Sequence, residues 1–360
     1  MSTLSRKSVH LNRPHITNKT PSDQNGVFVF SHPPQCTSPL AFLRKAERRL
    51  FISCKTPLTI PPKCAIIKPS RSPKRRNTKK KATVLILAGQ SNAVGVGHVQ
   101  YLPKYYSPEK IAELEAGYPT VRINYFSHDK RSNGFVSTGL NCTEQSKNTL
   151  GPEVGMAEYL HGRYPEEEFF IVKCAVGGTS MWRDWISPSC GEAYDPTSYA
   201  DQAESATYNV DHGLPMRPAW LYNELVKITR ESLAWLEEQG YTPEIRGFCW
   251  MQGEDDACDP VPMKDYEMRF TAMVKDLYAT FAPYMAGCTV VDAGISEIWP
   301  FFREMNEIKT RMAAALGGVY LDTIGHGLTT ATEPEGNVDI YHYDCGSTVE
   351  LGRLFAGALF

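Results

Sequence analysis

Two short polar motifs in this chain of 360 residues hold the residue types needed for nucleophilic catalysis. Ser91 lies in the run Gly-Gln-Ser-Asn, and His342 follows Asp339 by three positions. A histidine that is oriented by a carboxylate can remove the proton of a serine hydroxyl and so activate the serine. The motifs predict Ser91 as the nucleophile, His342 as the general base and Asp339 as the acid that orients this base.

Two further motifs offer groups that stabilise an oxyanion. Gly177 and Gly178 begin the run Gly-Gly-Thr-Ser-Met-Trp, and glycine N–H groups can approach a ligand closely. Gln252 begins the run Gln-Gly-Glu-Asp-Asp and offers a side-chain N–H. The same run contains Glu254, a second carboxylate that could orient the base. The predicted oxyanion hole therefore combines a glycine of the pair with Gln252.

Three more side chains near these motifs are predicted to contact the substrate. Asn92 adjoins the nucleophile, and Trp182 and Trp185 follow the glycine pair closely. Each prediction has a structural alternative, because Ser91 and Asn92 are also common helix caps and tryptophans often pack in a core. His326 is the main rival for the general base.

Elements that could position these motifs alternate along the chain from residue 82 onward. Short apolar runs predict strands at 82–88, 120–126, 169–176, 245–251, 288–294 and 318–322. Helical periodicity predicts helices at 152–163, 217–239, 263–281, 303–316 and 347–359. This alternation predicts an α/β three-layer sandwich with a central, mostly parallel sheet. In such sheets ligands bind beyond the carboxyl ends of the strands, where three of the motifs follow strands directly.

Two long polar stretches interrupt this alternation. Residues 127–150 and 184–216 are rich in Ser, Asn, Gly, Asp and Tyr. Loops of this length in a compact domain are usually functional or disordered. We therefore expect them to form walls of a substrate site.

The net charge of −2 is the sum of the charges of two unlike segments. Residues 1–81 contain 18 Lys and Arg against only Asp23 and Glu47, whereas residues 82–360 contain 20 basic and 38 acidic residues. The basic segment also holds 10 of the 25 prolines and few apolar stretches, which is typical of disorder. We therefore predict a disordered segment over 1–81 and one domain over 82–360.

The basic segment is consistent with three roles. It resembles an organelle transit peptide in composition, it contains a basic cluster at 71–81 typical of nuclear import or nucleic-acid binding, and it could be a solvated tail. We expect an intracellular protein, in a plastid or mitochondrion if the segment is a transit peptide. No uncharged apolar run approaches the length of a membrane helix, and the oligomeric state stays open.

The motifs GQSN, GGTSMW, WMQGED and DIYHY together resemble the SGNH hydrolase superfamily. The resemblance runs from about residue 82 to the C-terminus, and it is greatest to the branch of sialate O-acetylesterase-like and acetylxylan esterase-like carbohydrate esterases. Gly151-Pro152-Glu153 also resembles a segment of that branch. The chain departs from the wider pattern in Gln252, where many members have asparagine, and in Ala93, where many relatives have methionine.

This resemblance implies a flavodoxin-like serine esterase that hydrolyses O-acetyl esters on carbohydrate through an acyl-enzyme, without a metal or cofactor. It implies Ser91 as nucleophile and His342 as base, with the Ser91 N–H, a glycine of 177–178 and Gln252 as the oxyanion hole. Either Asp339 or Glu254 orients the base.

Three alternatives from other classes stay open at this point. The domain could be a catalytically inactive carbohydrate-binding relative, or a metal-dependent hydrolase that uses Glu254, Asp255 and Asp256. The basic segment could make the chain a nucleic-acid-associated protein, although the acidic domain offers no basic groove. The glycan and the acyl group are not determined by the sequence.

Overall fold

The computed structural model describes residues 80–127, 130–140, 148–191, 194, 219–330 and 332–360. Nearly all of the predicted disordered segment 1–81 lies outside these residues. The predicted loop walls 127–150 and 184–216 lie partly outside them as well. The residues of the four predicted catalytic motifs all lie within the described ranges.

A mostly parallel sheet forms the centre of the domain. Its parallel strands are β1 (Lys80–Gly89), β3 (Tyr118–Ser127), β7 (Phe169–Ala175), β8 (Tyr241–Met251), β9 (Thr289–Ala293) and β10 (Val319–Leu321). They lie in the order β10-β9-β8-β1-β7-β3, and each neighbouring pair is parallel. Each of these strands overlaps a predicted one, so the predicted fold class is confirmed.

Short antiparallel strands complete the sheet and form a second, small one. β4 (Lys130–Arg131) and β5 (Val136–Thr138) pair with β3 inside the stretch that was predicted to be a loop. β2 (Gly97–His98) pairs with β6 (Thr149–Leu150). Strands of two or three residues give too short a pattern to be recognised in the sequence.

Helices follow most of the strands. They are α1 (Ser91–Val94), α2 (Pro108–Ala116), α3 (Pro152–Arg163), α4 (Trp220–Glu238), α5 (Pro260–Lys264), α6 (Tyr266–Thr280), α7 (Phe302–Ala315) and α8 (Cys345–Leu359). The five predicted helices correspond to α3, α4, α6, α7 and α8. Helix α2 was not predicted, although Ser107 caps it and Pro108 occupies its first turn. None of the helices in the described residues is long and apolar enough to span a membrane.

Successive side chains of the central strand β7 show that helices cover both faces of the sheet. Lys173 bonds to Glu153 of α3, whereas the Sγ of Cys174 lies 3.9 Å from the carbonyl oxygen of Leu221 in α4. Because neighbouring strand residues point to opposite faces, α3 and α4 lie in different layers. Helix α8 packs against α3. The domain is therefore a three-layer sandwich.

Candidate active site

The carboxyl ends of three adjacent strands bring the motifs together. β1 lies between β7 and β8, and Gly89 at its end is in register with Ala175 and Met251. The Gln-Ser-Asn run, the glycine pair and the Gln-Gly-Glu-Asp-Asp run therefore leave the sheet at the same edge. Parallel pairing in register explains why motifs distant in sequence form one site.

The turn that carries Ser91 has room only for glycine at its start. Gly89 has φ +146°, and a Cβ there would lie 1.9 Å from the carbonyl oxygen of Met251. The N–H of Gln90 donates to the same carbonyl at 2.9 Å. Ser91 follows as the first residue of α1 and is 7% exposed. Because the first N–H groups of a helix have no acceptor within it, the Ser91 N–H is suited to bind an oxyanion.

His342 and Asp339 form a contact pair on the loop before α8. The His342 Nδ1 lies 2.6 Å from the Asp339 Oδ2, and the N–H of Tyr341 donates to the other oxygen, Oδ1, at 3.0 Å. Both carboxylate oxygens are thus used in fixing the loop. With Nδ1 donating to Asp339, the imidazole Nε2 is the atom able to accept a proton.

Asn92 connects the turn of Ser91 to both residues that flank His342. Its Oδ1 accepts from the N–H of Tyr343 at 3.0 Å, and its Nδ2 lies 3.5 Å from the carbonyl oxygen of Tyr341. The amide is 4% exposed, and its nitrogen also donates to Glu254. The structure therefore gives Asn92 a positioning contact, and its predicted contact with substrate stays a prediction.

Glu254 lies beneath this contact rather than against the base. It is fully buried, and its Oε1 accepts from the Asn92 Nδ2 at 2.8 Å. Burial raises the pKa of Glu254, and the hydrogen bond from Asn92 opposes that rise. The carboxylate that the structure places on the His342 ring is Asp339, so the two acids predicted as alternatives occupy different positions.

The side chain of Gln252 ties three segments of the site together. Its Nε2 donates to the side-chain oxygen of Gln90 at 3.2 Å, the carbonyl of Thr179 at 3.0 Å and the Oδ2 of Asp256 at 2.7 Å. Each of these acceptors belongs to a different catalytic motif or its flank. An oxyanion would have to compete with them for the amide hydrogens, and the predicted oxyanion role of Gln252 stays a prediction.

The glycine pair after β7 forms a turn at the surface of the site. Gly178 is exposed with φ +64°, and no atom lies near the position of its missing Cβ. Thr179 closes the turn, because its hydroxyl donates to the carbonyl of Val176 at 2.7 Å. The turn is therefore exposed to solvent at Gly178.

Asp256 is a positioning residue that the sequence suggested only as a metal ligand. Its Oδ2 accepts from the N–H of Met181 at 2.9 Å as well as from Gln252, and its Oδ1 accepts from the N–H of Trp182 at 3.2 Å. Burial raises the pKa of Asp256 to about 7. This carboxyl joins the loop after β7 to the loop after β8.

The two predicted tryptophans have different surroundings. Trp182 is 42% exposed, and the guanidinium carbon of Arg269 lies 4.5 Å from its ring centroid. Trp185 is fully buried, packs edge-on against Trp250 and donates to Thr179 at 3.2 Å. Trp182 is thus exposed on the loop after β7, whereas Trp185 supports that loop from the core, and their predicted contacts with substrate stay predictions.

A buried ion pair below the site was not predicted from the sequence. The Nζ of Lys309 lies 2.5 Å from an oxygen of Asp292 and donates to the carbonyl of Gln252 at 2.7 Å. Burial raises the pKa of Asp292 to about 6, and Lys309 opposes that rise. A single lysine within the amphipathic α7 gives no signal in the sequence, because such residues are usually at the surface.

His326 and the acidic residues considered as metal ligands are not arranged like the pair of His342 and Asp339. His326 is exposed on the loop after β10, where its N–H donates to the carbonyl of Asp322. Across the residues that the structure describes, no group of three or more His, Cys, Asp or Glu side chains is arranged to hold a metal ion. Glu254 and Asp256 instead bond to protein amides.

Comparison with solved structures shows the same fold in known proteins. A protein from Arabidopsis thaliana matches with a TM-score of 0.50 and 20% identity, over 77% of this chain and 96% of that one. The structure of NanS matches with a TM-score of 0.53 and 18% identity, over 78% and 97% of the respective chains. No curated protein matches the chain significantly.

The α/β sandwich with its central, mostly parallel sheet is the predicted fold class, and NanS has the same fold. Residues 81–360 match the family described as carbohydrate esterase, sialic acid-specific acetylesterase. The chain belongs to that family, and it is a carboxylic ester hydrolase.

Proposed function

We propose that this protein hydrolyses O-acetyl esters on carbohydrate through a covalent acyl-enzyme at Ser91. The observation that carries the proposal is the pair of His342 and Asp339, held beside the nucleophile turn by Asn92 on both sides of the histidine. This arrangement supplies a base, the acid that orients it, and a serine on the neighbouring turn.

In the first half of the reaction, His342 removes the Ser91 proton through Nε2 while Oγ attacks the acetyl carbonyl carbon. The carbonyl π electrons move to oxygen, and the tetrahedral intermediate collapses as His342 protonates the departing sugar oxygen. In the second half, His342 deprotonates water, which attacks the acetyl-serine. Acetate leaves and the proton returns to Ser91. Asp339 holds Nδ1–H throughout and stabilises the imidazolium.

The N–H of Ser91 is the oxyanion donor that the fold favours most, because it lies at the first turn of α1. A glycine N–H of the 177–178 turn is the second donor in this proposal. Gln252 contributes chiefly by holding Gln90, Thr179 and Asp256 in place. We also propose that the catalytic unit is residues 82–360 and that the basic segment serves address or attachment.

A paired measurement of acetate release and covalent labelling tests the proposal. We expect Ser91→Ala to lose at least about 10³-fold in kcat on acetylated sugars and to lose labelling by a fluorophosphonate probe. Ser137→Ala is the matched control, because Ser137 is exposed on the edge strand β5. Ser91→Ala with normal folding and activity near that of the control would overturn the proposal.

A further inference from the structure

Tyr341 presents an exposed aromatic ring directly beside the proposed base. Its side chain is 51% exposed. Its backbone is fixed on both sides, because the N–H donates to Asp339 and the carbonyl accepts from Asn92. The position of this ring is therefore set by the same contacts that set the position of His342.

A second aromatic ring extends this surface from the loop after β9. The ring centroid of Trp299 lies 5.3 Å from that of Tyr341, with the planes tilted by 42°. The start of the loop is held by Asn306, which accepts from the N–H of Ile295 at 2.8 Å and donates to its carbonyl at 2.9 Å. The carbonyl of Trp299 accepts from the N–H of Phe302 at 3.2 Å, so both rings stand on hydrogen-bonded backbone.

We infer that Tyr341 and Trp299 form a stacking surface for a pyranose ring of the glycan, so that the substrate is an oligosaccharide or polysaccharide. This inference rests on the proposed function. The C–H face of a sugar suits an exposed aromatic face, and apolar patches that border a site usually bind ligand. Ile298 and Ile340, each 39% exposed, enlarge the patch.

The order of the strands shows where the aromatic rings lie relative to the nucleophile turn. Trp299 follows β9 and Trp182 follows β7, while the nucleophile follows β1. Since β8 and β1 lie between β9 and β7, aromatic rings stand on both sides of the nucleophile turn, with Trp182 and Tyr341 exposed and Trp299 partly exposed. A chain of sugars can extend across the carboxyl edge, whereas a single small ester would use only its centre.

Comparing a glycan with a small ester tests the stacking surface. We expect Tyr341→Ala to raise KM for an acetylated oligosaccharide by about tenfold or more beyond any change on 4-nitrophenyl acetate, and Tyr341→Phe to restore the wild-type ratio. Phe360→Ala is the control, because Phe360 is 38% exposed but packs on Phe169 at the opposite edge.

Equal losses on both substrates would assign Tyr341 to holding His342 and overturn the inference, as would an unchanged KM for the oligosaccharide. Wild-type protein that hydrolyses 4-nitrophenyl acetate but releases acetate from no oligosaccharide also overturns it. If that protein instead deacetylates single sugars, the proposed function stands and only the stacking surface fails.

A separate observation concerns the other side of the nucleophile turn. Lys173 in β7 and Glu153 in α3 form an ion pair of 2.6 Å, with side chains that are 0% and 1% exposed. Burying two charges costs desolvation free energy, and apolar residues of similar volume often stabilise a core equally well. The role of such a buried ion pair is therefore best understood from the other contacts that its side chains make.

The second contact of Lys173 is with the nucleophile helix. Its Nζ donates to the carbonyl of Val94 at 2.7 Å, and Val94 ends the helix that Ser91 begins. Gly151 closes the space, because a Cβ there would lie 2.4 Å from a Glu153 carboxylate oxygen and 2.6 Å from the same Val94 carbonyl. The Gly-Pro-Glu segment, which the sequence identified only by its resemblance to the esterase branch, therefore contacts the C-terminal end of α1.

We propose that the pair of Lys173 and Glu153 positions the nucleophile. Helix α1 has four residues, too few to be stable alone, so its orientation depends on contacts at its ends. Lys173 places a positive charge at its C-terminal end, where a cation stabilises helical carbonyls. Glu153 holds that lysine in place.

The rate of covalent labelling of Ser91 tests this role, because it reports on the nucleophile and not on sugar binding. We expect Lys173→Met with Glu153→Gln to lower the labelling rate by about 100-fold while the protein stays folded. The matched control is Arg311→Met with Glu267→Gln, which removes an ion pair whose side chains are 56% and 47% exposed and should label at the wild-type rate.

Lys173→Gln provides a second test if the double variant does not fold, since its amide is shorter than the lysine side chain and places no positive charge beside the Val94 carbonyl. A folded variant of either kind that labels as fast as wild type would overturn the positioning role. So would a loss confined to KM for sugar esters.

Discussion

The side-chain amide of Asn92 donates a hydrogen bond of 2.8 Å to the buried carboxylate of Glu254. Glu254 therefore contacts the loop of His342 through Asn92, whereas Asp339 contacts the His342 ring itself. The two acids that the sequence could not separate thus have different partners, which makes their roles separable by substitution.

The first prediction separates the two carboxylates. Asp339→Asn is expected to lower kcat by about 10³-fold or more, because an amide does not stabilise the imidazolium or fix its tautomer. Glu254→Gln keeps an oxygen that can accept from Asn92, so we expect a loss of about tenfold or less. The measurement is kcat on 4-nitrophenyl acetate, and a larger loss in Glu254→Gln would make Glu254 the orienting acid.

The second prediction concerns Asn92. Asn92→Ala removes the bonds to Tyr341 and Tyr343 on either side of His342, so we expect kcat to fall by about 100-fold with little change in KM. Asn92→Asp places a second carboxylate against Glu254 and should lower the free energy of unfolding further than alanine does. Urea unfolding and steady-state kinetics measure both effects. A change in KM alone would instead support the predicted contact between Asn92 and substrate.

The third prediction compares two glycines. Gly89→Ala is expected to lower the free energy of unfolding by about 3 kcal/mol or more, because the turn has φ +146° and Met251 blocks the Cβ position. Gly162→Ala, in helix α3 with open space around it, should raise it by up to about 1 kcal/mol. Urea denaturation measures the free energy of unfolding of both variants. Equal values for the two variants would contradict a strained turn at Gly89.

The fourth prediction is a pH dependence of stability. Burial raises the pKa of Asp256 to about 7, while an unfolded aspartate titrates near about 3.9. Between these values the folded state binds more protons than the unfolded state, so the stability from this group is lost as the pH rises through about 7.

Asp256→Asn should therefore be less stable at low pH, because it loses hydrogen bonds, but its stability should change less between about pH 4 and about pH 8. Unfolding in urea at a series of pH values measures this slope. Asp265→Asn, a substitution of a more exposed aspartate, should leave the slope as in wild type. Parallel profiles for wild type and Asp256→Asn would show that Asp256 titrates normally.

The elements of the sandwich could be predicted because their patterns are long. Strand β7 is apolar apart from Lys173, and α3 has bounds identical to those predicted, with proline at its first position. The short strands β4 and β5 and the helix α1 could not be predicted, since two to four residues carry no period. They form because the neighbouring β3 or the end of β1 provides their contacts.

The motifs of the site could be predicted from the sequence, but the exposure and the hydrogen-bond partners of their individual side chains could not. Trp182 and Trp185 are three residues apart, yet one is exposed at the rim and the other is buried against Trp250. Asp256 was considered a metal ligand because acidic residues adjoin it in sequence. In the fold it accepts hydrogen bonds from Gln252, Met181 and Trp182.

The sequence by itself determined the α/β class, the order of the motifs and the residue types available for acyl transfer, because these follow from local pattern and composition. Only the tertiary structure decided that Glu254 bonds to Asn92, that Asn92 bonds to Tyr343, and that Lys173 bonds to the end of helix α1. Those contacts join positions as far apart as 251 residues, as between Asn92 and Tyr343. They depend on the register of parallel strands and on packing between layers, which no local pattern contains.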